Sequence, residues 1–382
     1  MPKKTPDRSL TKRLFVRAVI GVKFTLPTIL RKGQKLGYAR PVPLVLRDDL
    51  FLLHDPGAEH PENPGRLRAI YQALDERPMP GVAFEAPATA RQADLERVHT
   101  PEYLASLAAV AGRRAQLDPD TAMSPRSYEA ACLAAGAMVQ ATEAVVGRRA
   151  DGAFALVRPP GHHAEADRAM GFCLLNNVAI AAAFAVDELG CKRVLVLDPD
   201  VHHGNGTQWA FWQRRDVLYV SSHRFPFYPG TGSIAEIGDG PGSGYTINLP
   251  LPTGAGDADL LHVYEAVVLP VVREWQPDLI LVSAGFDTWK RDPIGGLNVS
   301  EQGFQALFAL FRSWAEEYCP GRLALALEGG YDPEGLVAGV RAALGSLGGV
   351  TAPPVGVAPR AAVQSVVAQA RTLLAPHWRS LR

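Results

Sequence analysis

The chain has 382 residues, 47% hydrophobic and 20% charged, the balance of a globular protein with a sizeable buried core. Its net charge is zero but unevenly spread: residues 1–47 hold twelve Lys/Arg against one acid, Asp7, leaving 27 basic against 38 acidic residues beyond. An acidic body has the wrong sign for a nucleic-acid footprint. Four scattered cysteines without a C-x-x-C pair exclude a zinc ribbon or disulfide framework and point to a reducing, cytoplasmic compartment.

In chain order, residues 1–47 stand apart, with Pro41 and Pro43 at the break in composition. They read as a solvated or loosely docked basic extension, or as an organellar targeting segment, ahead of a single domain over 48–382. Their most apolar stretch is interrupted by Arg17 and Lys23, and no run of about 18 uncharged apolar residues occurs, so no membrane span is expected. From Phe51 onward, strand-like apolar runs alternate with helical patterns, the signature of a parallel sheet with crossover helices. Strands are expected at 153–157, 194–197, 217–221, 246–249, 279–282 and 323–327. Helices are expected at 127–146, 177–189, 259–275, 300–318, 333–347 and 362–374. The Pro/Gly-rich segments 225–232 and 238–244 read as long loops, as does 117–126.

Four of the strand-like runs lead into chemically loaded sequences. AFALV ends in Arg158-Pro-Pro-Gly-His-His163, VLVL in Asp198-Pro-Asp-Val-His-His203, the third in Ser283-Ala-Gly-Phe-Asp287, and the fourth in Glu328-Gly-Gly-Tyr331. Ligands of open α/β sheets collect beyond the carboxyl ends of such strands. Asp200 and His202 are two apart, so in extended backbone one carboxylate and one imidazole point the same way and can share a cation. Asp287, after another strand, would be the third ligand, and three protein ligands with an open position make the catalytic zinc pattern. Asp198 could orient an imidazole or merely cap a turn, and Asn205 likewise. The adjacent His162 and His163 suit general acid/base work. Tyr331 could donate to a developing oxyanion or simply pack. Phe172 and Tyr228, in Gly-containing loops, could wall a channel or cover the core.

These motifs, in this order, resemble the zinc-dependent histone deacetylase family, which includes acetylpolyamine amidohydrolases and acetoin-utilization proteins. The likeness runs from about Phe51 to Leu347. It takes in His60-Pro-Glu-Asn-Pro-Gly-Arg-Leu67, Val98-His-Thr-Pro-Glu-Tyr-Leu104, Gly171-Phe-Cys-Leu-Leu-Asn-Asn177, Pro229-Gly-Thr-Gly232 and Asp292-Pro293, besides the four endings above. The wording is closest to class II-like and bacterial members. The resemblance implies a single-domain arginase/deacetylase α/β fold, a central parallel sheet flanked by helices on both faces. It implies zinc on Asp200, His202 and Asp287, a tandem pair His162 and His163 partnered by Asp198 and Asn205, and Tyr331 on the acetyl oxygen. Gly171, Phe172, Tyr228 and Ile294 would bind substrate in a channel. A structural potassium ion would fall to Asp198, Asp200, His202 and Ser221, partly through backbone oxygens.

Pro199 departs from the family pattern and removes one backbone N–H. Asn205 stands where some members have an acid, and an uncharged partner would favour a neutral His163. Tyr331 is retained where some members carry His, and the basic extension has no counterpart. The expected activity is a metal-dependent amidohydrolase that takes an acetyl or other acyl group off an amine, either acyl-lysine or an acetylated polyamine. A catalytically silent acyl-lysine-binding scaffold is the alternative. A two-manganese guanidino hydrolase is disfavoured because ligands for only one metal are visible. Zinc against iron(II), the substrate class and homo-oligomer formation stay open.

Overall fold

Ten strands occur among the residues described by the computed structural model, 41–356 and 358–382. They are β1 (Leu44–Leu46), β2 (Ala83–Glu85), β3 (Ala115–Gln116), β4 (Ala122–Met123), β5 (Ala153–Ala155), β6 (Val194–Asp198), β7 (Val217–Arg224), β8 (Thr246–Leu251), β9 (Leu279–Ala284) and β10 (Leu323–Leu327). Eight form one sheet in the order β2-β1-β5-β10-β9-β6-β7-β8, with every pairing parallel. Side chains alternate between faces along a strand, yet every residue of β5, β6, β9 and β10 is buried, so both faces are covered. That double burial is why these strands read as unbroken apolar runs.

The helix Ser127–Val146 has the expected bounds and packs on β5, β10 and the helix Asn177–Asp187. Among the described residues it alone is long and apolar enough to cross a membrane, but it is largely buried inside the fold. The helix expected at 259–275 is broken in its middle by a widened turn, Tyr264–Val268, between Asp257–Val263 and Leu269–Trp275. Pro270 has no N–H to give to the Ala266 carbonyl, which instead accepts from Arg371 Nη1 at 2.9 Å. The expected loop 117–126 contains half of a small antiparallel hairpin, β3–β4.

One boundary is corrected. β1 lies between β2 and β5 in the sheet, so a division at 47/48 cuts off a strand that belongs to the body. Three residues behind two prolines are too short to show a period. Residues 1–40, and with them most of the basic extension, lie outside the described residues.

The topology creates the crevice. From β6 the chain moves on to β7 and β8, and it returns to place β9 on the other side of β6, with β10 beyond. The connections leaving β6 and β9 therefore diverge at their carboxyl ends, which is where ligand sites form in such sheets.

Candidate metal centre and active site

Asp200 and His202 follow β6, Asp287 follows β9, and all three are buried in that crevice. One potential ligand atom from each lies within 4.8 Å of the others. His202 Nδ1 is 3.2 Å from Asp200 Oδ1 and 3.2 Å from Asp287 Oδ2. The remaining oxygens are pinned by backbone: Asp287 Oδ1 accepts from Val201 N at 2.8 Å, and Asp200 Oδ2 from Gly329 N at 2.9 Å. Asp287 Oδ2, although buried, has no hydrogen-bond partner. Glycines keep the space open, since a Cβ at Gly285 would sit 2.0 Å from Asp200 Oδ2 and one at Gly329 2.0 Å from Asp287 Oδ2.

The three groups act strongly on one another's charge. Burial, and then the charge of Asp200, push the Asp287 carboxyl up to about 7, whereas Asp200 is held well below the usual range by His162 and His202 against the pull of burial. Burial would lower His202, but Asp200 and Asp287 outweigh it and raise it to about 9. Two buried carboxylates around one imidazole, with an orphaned oxygen, form an O/N/O donor set that suits a divalent ion displacing the imidazole proton.

Beside this trio stand the tandem histidines after β5, with ring centroids 4.0 Å apart. His162 Nδ1 lies 3.1 Å from Asp198 Oδ2, which also accepts from Tyr219 Oη at 2.9 Å. His163 Nδ1 pairs with Asn205 Oδ1 at 2.8 Å. In both rings Nδ1 is thereby engaged, and Nε2 makes no hydrogen bond among the described residues, that of His162 lying 3.9 Å from Asp200 Oδ1. Burial opposes charge on both, but Asp198 and Asp200 raise His162 to about 10, while burial, His162 and His202 carry His163 well below its ordinary value. Burial and neighbouring charge lower His163, while its bond to Asn205 acts the other way.

A narrow cavity of about 80 Å³ leads to the site, lined by His162, His163, His202, Tyr331 and all four expected channel residues, Gly171, Phe172, Tyr228 and Ile294. Gly171 and Phe172 have φ of 57° and 69°, the left-handed region. A Cβ on Gly171 would meet His163 Cδ2 at 2.3 Å. The costly backbone at Phe172 is held by a hydrogen bond from its N–H to Thr121 Oγ1 at 3.1 Å, and it sets the ring 6.0 Å from that of Tyr331. Tyr228 stands edge-on to His163 at 5.2 Å. The Asp292 carboxylate accepts from the N–H of Ile294 at 3.0 Å and of Tyr331 at 2.7 Å, locking one channel wall to the tyrosine's turn. Ser221 lies opposite Asp198 in the β6–β7 register, with its hydroxyl on His223 Nδ1 at 2.9 Å.

The sequence reading missed several groups that serve this site. Asp120 and Pro160 also line the cavity. Behind it, buried Glu62 takes a bidentate pair from Arg158 (2.6 and 2.7 Å) and a further bond from Arg66 Nη1 (2.7 Å). Arg66 Nε also donates to Gly330 O at 2.6 Å, with the guanidinium 4.9 Å from the Tyr331 ring centroid. The available signal was charge: Glu62, Arg66 and Arg158 stand inside otherwise uncharged motif stretches.

A family model described as the histone deacetylase domain matches residues 60–347. A probable deacetylase of Archaeoglobus fulgidus is 39% identical over 288 residues, 75% of this chain and 80% of that protein. A histone deacetylase-like amidohydrolase of Pseudomonas aeruginosa is 39% identical over 279 residues, 72% and 73% of the two chains. Histone deacetylase 5 of Arabidopsis thaliana is 40% identical over 312 residues, 75% of this chain but 46% of the plant protein, so the chain spans about half of that relative. The crystal structure of the HDA15 HD domain superposes with a TM-score of 0.83 at 36% identity, covering 90% of this chain and 97% of that one. The eight-stranded parallel sheet with its helices is thus the arginase/deacetylase fold, and the chain belongs to the histone deacetylase family.

Proposed function

We propose that the protein is a metal-dependent amidohydrolase that removes an acetyl group from an amine, either an acetyl-lysine side chain or an acetylated polyamine or other small amine. The observation that carries this reading is the buried Asp200–His202–Asp287 trio, in which one carboxylate oxygen accepts no hydrogen bond, at the end of a cavity that also presents His163 and Tyr331. A zinc ion suits that donor set, iron(II) being the other candidate, and when bound it polarises the amide carbonyl and holds a water. A potassium ion near Asp198, Asp200, His202 and Ser221 would serve structure.

The rest of the chemistry belongs to the chain. Neutral His163 takes a proton from the attacking water at Nε2. His162, kept cationic by Asp198, holds the complementary proton, so the pair supplies one to the departing amine nitrogen. Tyr331 Oη donates to the carbonyl oxygen as charge grows on it. Phe172, Tyr228 and Ile294 exclude water around an unbranched methylene chain, and Gly171 leaves room for it next to His163. The test is acetate release by the zinc-loaded protein from an acetyl-lysine peptide and from acetylated polyamines side by side. Turnover of either class supports the proposal, and the preferred one names the substrate. No acetate from either, by protein carrying stoichiometric metal, contradicts it.

A further inference from the structure

One buried carboxylate beside the site takes no part in that chemistry. Glu328 follows β10 directly, is fully buried, and forms no ion pair with Lys or Arg among the described residues. Its Oε2 accepts from the N–H of Gly161 at 2.6 Å and of His162 at 3.2 Å, and its Oε1 accepts from Ser283 Oγ of β9 at 3.2 Å. One side chain therefore ties together the ends of β10 and β9 and the loop that carries the tandem histidines after β5. Its own main chain is held as well: Glu328 N donates to Ala284 O at 3.1 Å, and Glu328 O accepts from Arg66 Nη2 at 2.5 Å. The next residue, Gly329, donates its N–H to Asp200 Oδ2. Two consecutive residues thus grip the histidine loop and a member of the Asp–His–Asp trio.

We propose that Glu328 is the positioning residue that fixes the His162–His163 pair relative to the Asp200–His202–Asp287 trio, an inference that rests on the acid/base role assigned to that pair above. Burying a carboxylate in an apolar sheet end is costly unless its oxygens are fully used. Here they are used on main-chain N–H groups that have no helix or strand partner. The carboxylate makes no hydrogen bond to either imidazole ring, so its hold on the pair runs through the backbone. What it controls is registry, where a misplacement of about 1 Å can cost on the order of a hundredfold in rate.

The test compares Glu328→Gln with Glu328→Asp, alone and combined with His163→Ala, on an acetyl-lysine peptide and N-acetylputrescine. Glutamine can turn its oxygen to the two N–H groups and its amide to Ser283. Aspartate keeps the carboxyl group but falls one bond, about 1.5 Å, short of the loop. Turnover of the Gln variant should stay near wild type, while the Asp variant loses about tenfold or more in kcat with KM and metal content unchanged. In the His163→Ala background the Asp substitution should cost clearly less than it does alone, because one member of the positioned pair, the base, is gone and only His162 remains. An Asp variant more active than the Gln variant overturns the inference, as does a loss that multiplies in full on His163→Ala or resides in KM or metal content. Failure of the underlying reading looks different: His163→Ala alone would then turn over like wild type.

Discussion

Gly329→Ala should leave the fold intact and empty the metal site. The position lies outside the left-handed region, so alanine adds no left-handed backbone strain there. The added carbon would stand 2.0 Å from Asp287 Oδ2 and 2.6 Å from Asp200 Oδ2, where ordinary contact begins at 3.4 Å. The Asp287 carboxylate must therefore retreat by about 1.4 Å, while metal–ligand distances tolerate only about 0.2 Å. With one of three protein ligands displaced, zinc affinity should fall by at least about a hundredfold, or ~2.7 kcal/mol, since disturbing even an outer partner costs 10- to 100-fold. Competition against a chromophoric chelator measures the affinity, and thermal unfolding in excess chelator shows whether the metal-free fold has suffered. Unchanged affinity in a normally folded variant would refute the argument that these two carboxylates converge on an ion.

Tyr331→Phe should keep metal and fold but lose about 2.7–4 kcal/mol of transition-state stabilisation, a hundred- to thousandfold drop in kcat, and near wild-type turnover would reduce Tyr331 to packing. Glu62 is held well below its ordinary value of 4.5 because Arg158, His54 and Arg66 outweigh its burial. A depressed carboxyl contributes stability that is present above the unfolded-state value and lost as pH falls through the folded-state one. Glu62→Gln should therefore destabilise by about 3–5 kcal/mol near neutrality, where it strands two buried guanidinium groups, and the gap should narrow below about pH 4.5 in urea titrations. A gap independent of pH would contradict this. A truncation beginning at Val42 keeps β1 and should leave turnover unchanged with altered salt sensitivity, whereas one beginning at Asp48 removes a strand bonded on both sides and should be insoluble. Equal behaviour of the two would deny β1 its place in the sheet.

What the sequence made legible follows from geometry that is local along the chain. Runs such as VLVL at 194–197 announce strands because both faces are covered, and chemistry follows each strand end directly, so Asp200, His202, His162, His163, Asp287 and Tyr331 could be named one motif at a time. The i, i+2 relation of Asp200 and His202 needed only extended backbone. Contacts across the chain were not legible. Glu62 meets Arg158 at a separation of 96 residues, Glu328 meets Gly161 at 167, and Arg66 reaches Gly330 at 264, and no periodicity encodes any of these. β1 and β2 were too short to show a pattern, and the widened turn at Tyr264–Val268 was signalled only by Pro270 inside a helical run.

The buried Asp–His–Asp trio should hold a divalent ion without which the amide is not cleaved, a requirement open to direct test. Its most direct test measures bound metal and acetate release together for wild type and His202→Ala, each after chelator treatment and again after zinc is restored. Wild type should bind one zinc per chain and lose and regain activity with it, while His202→Ala remains folded, metal-free and inactive throughout. Acetate release that persists in chelator-treated protein, or in His202→Ala without bound metal, would contradict the account.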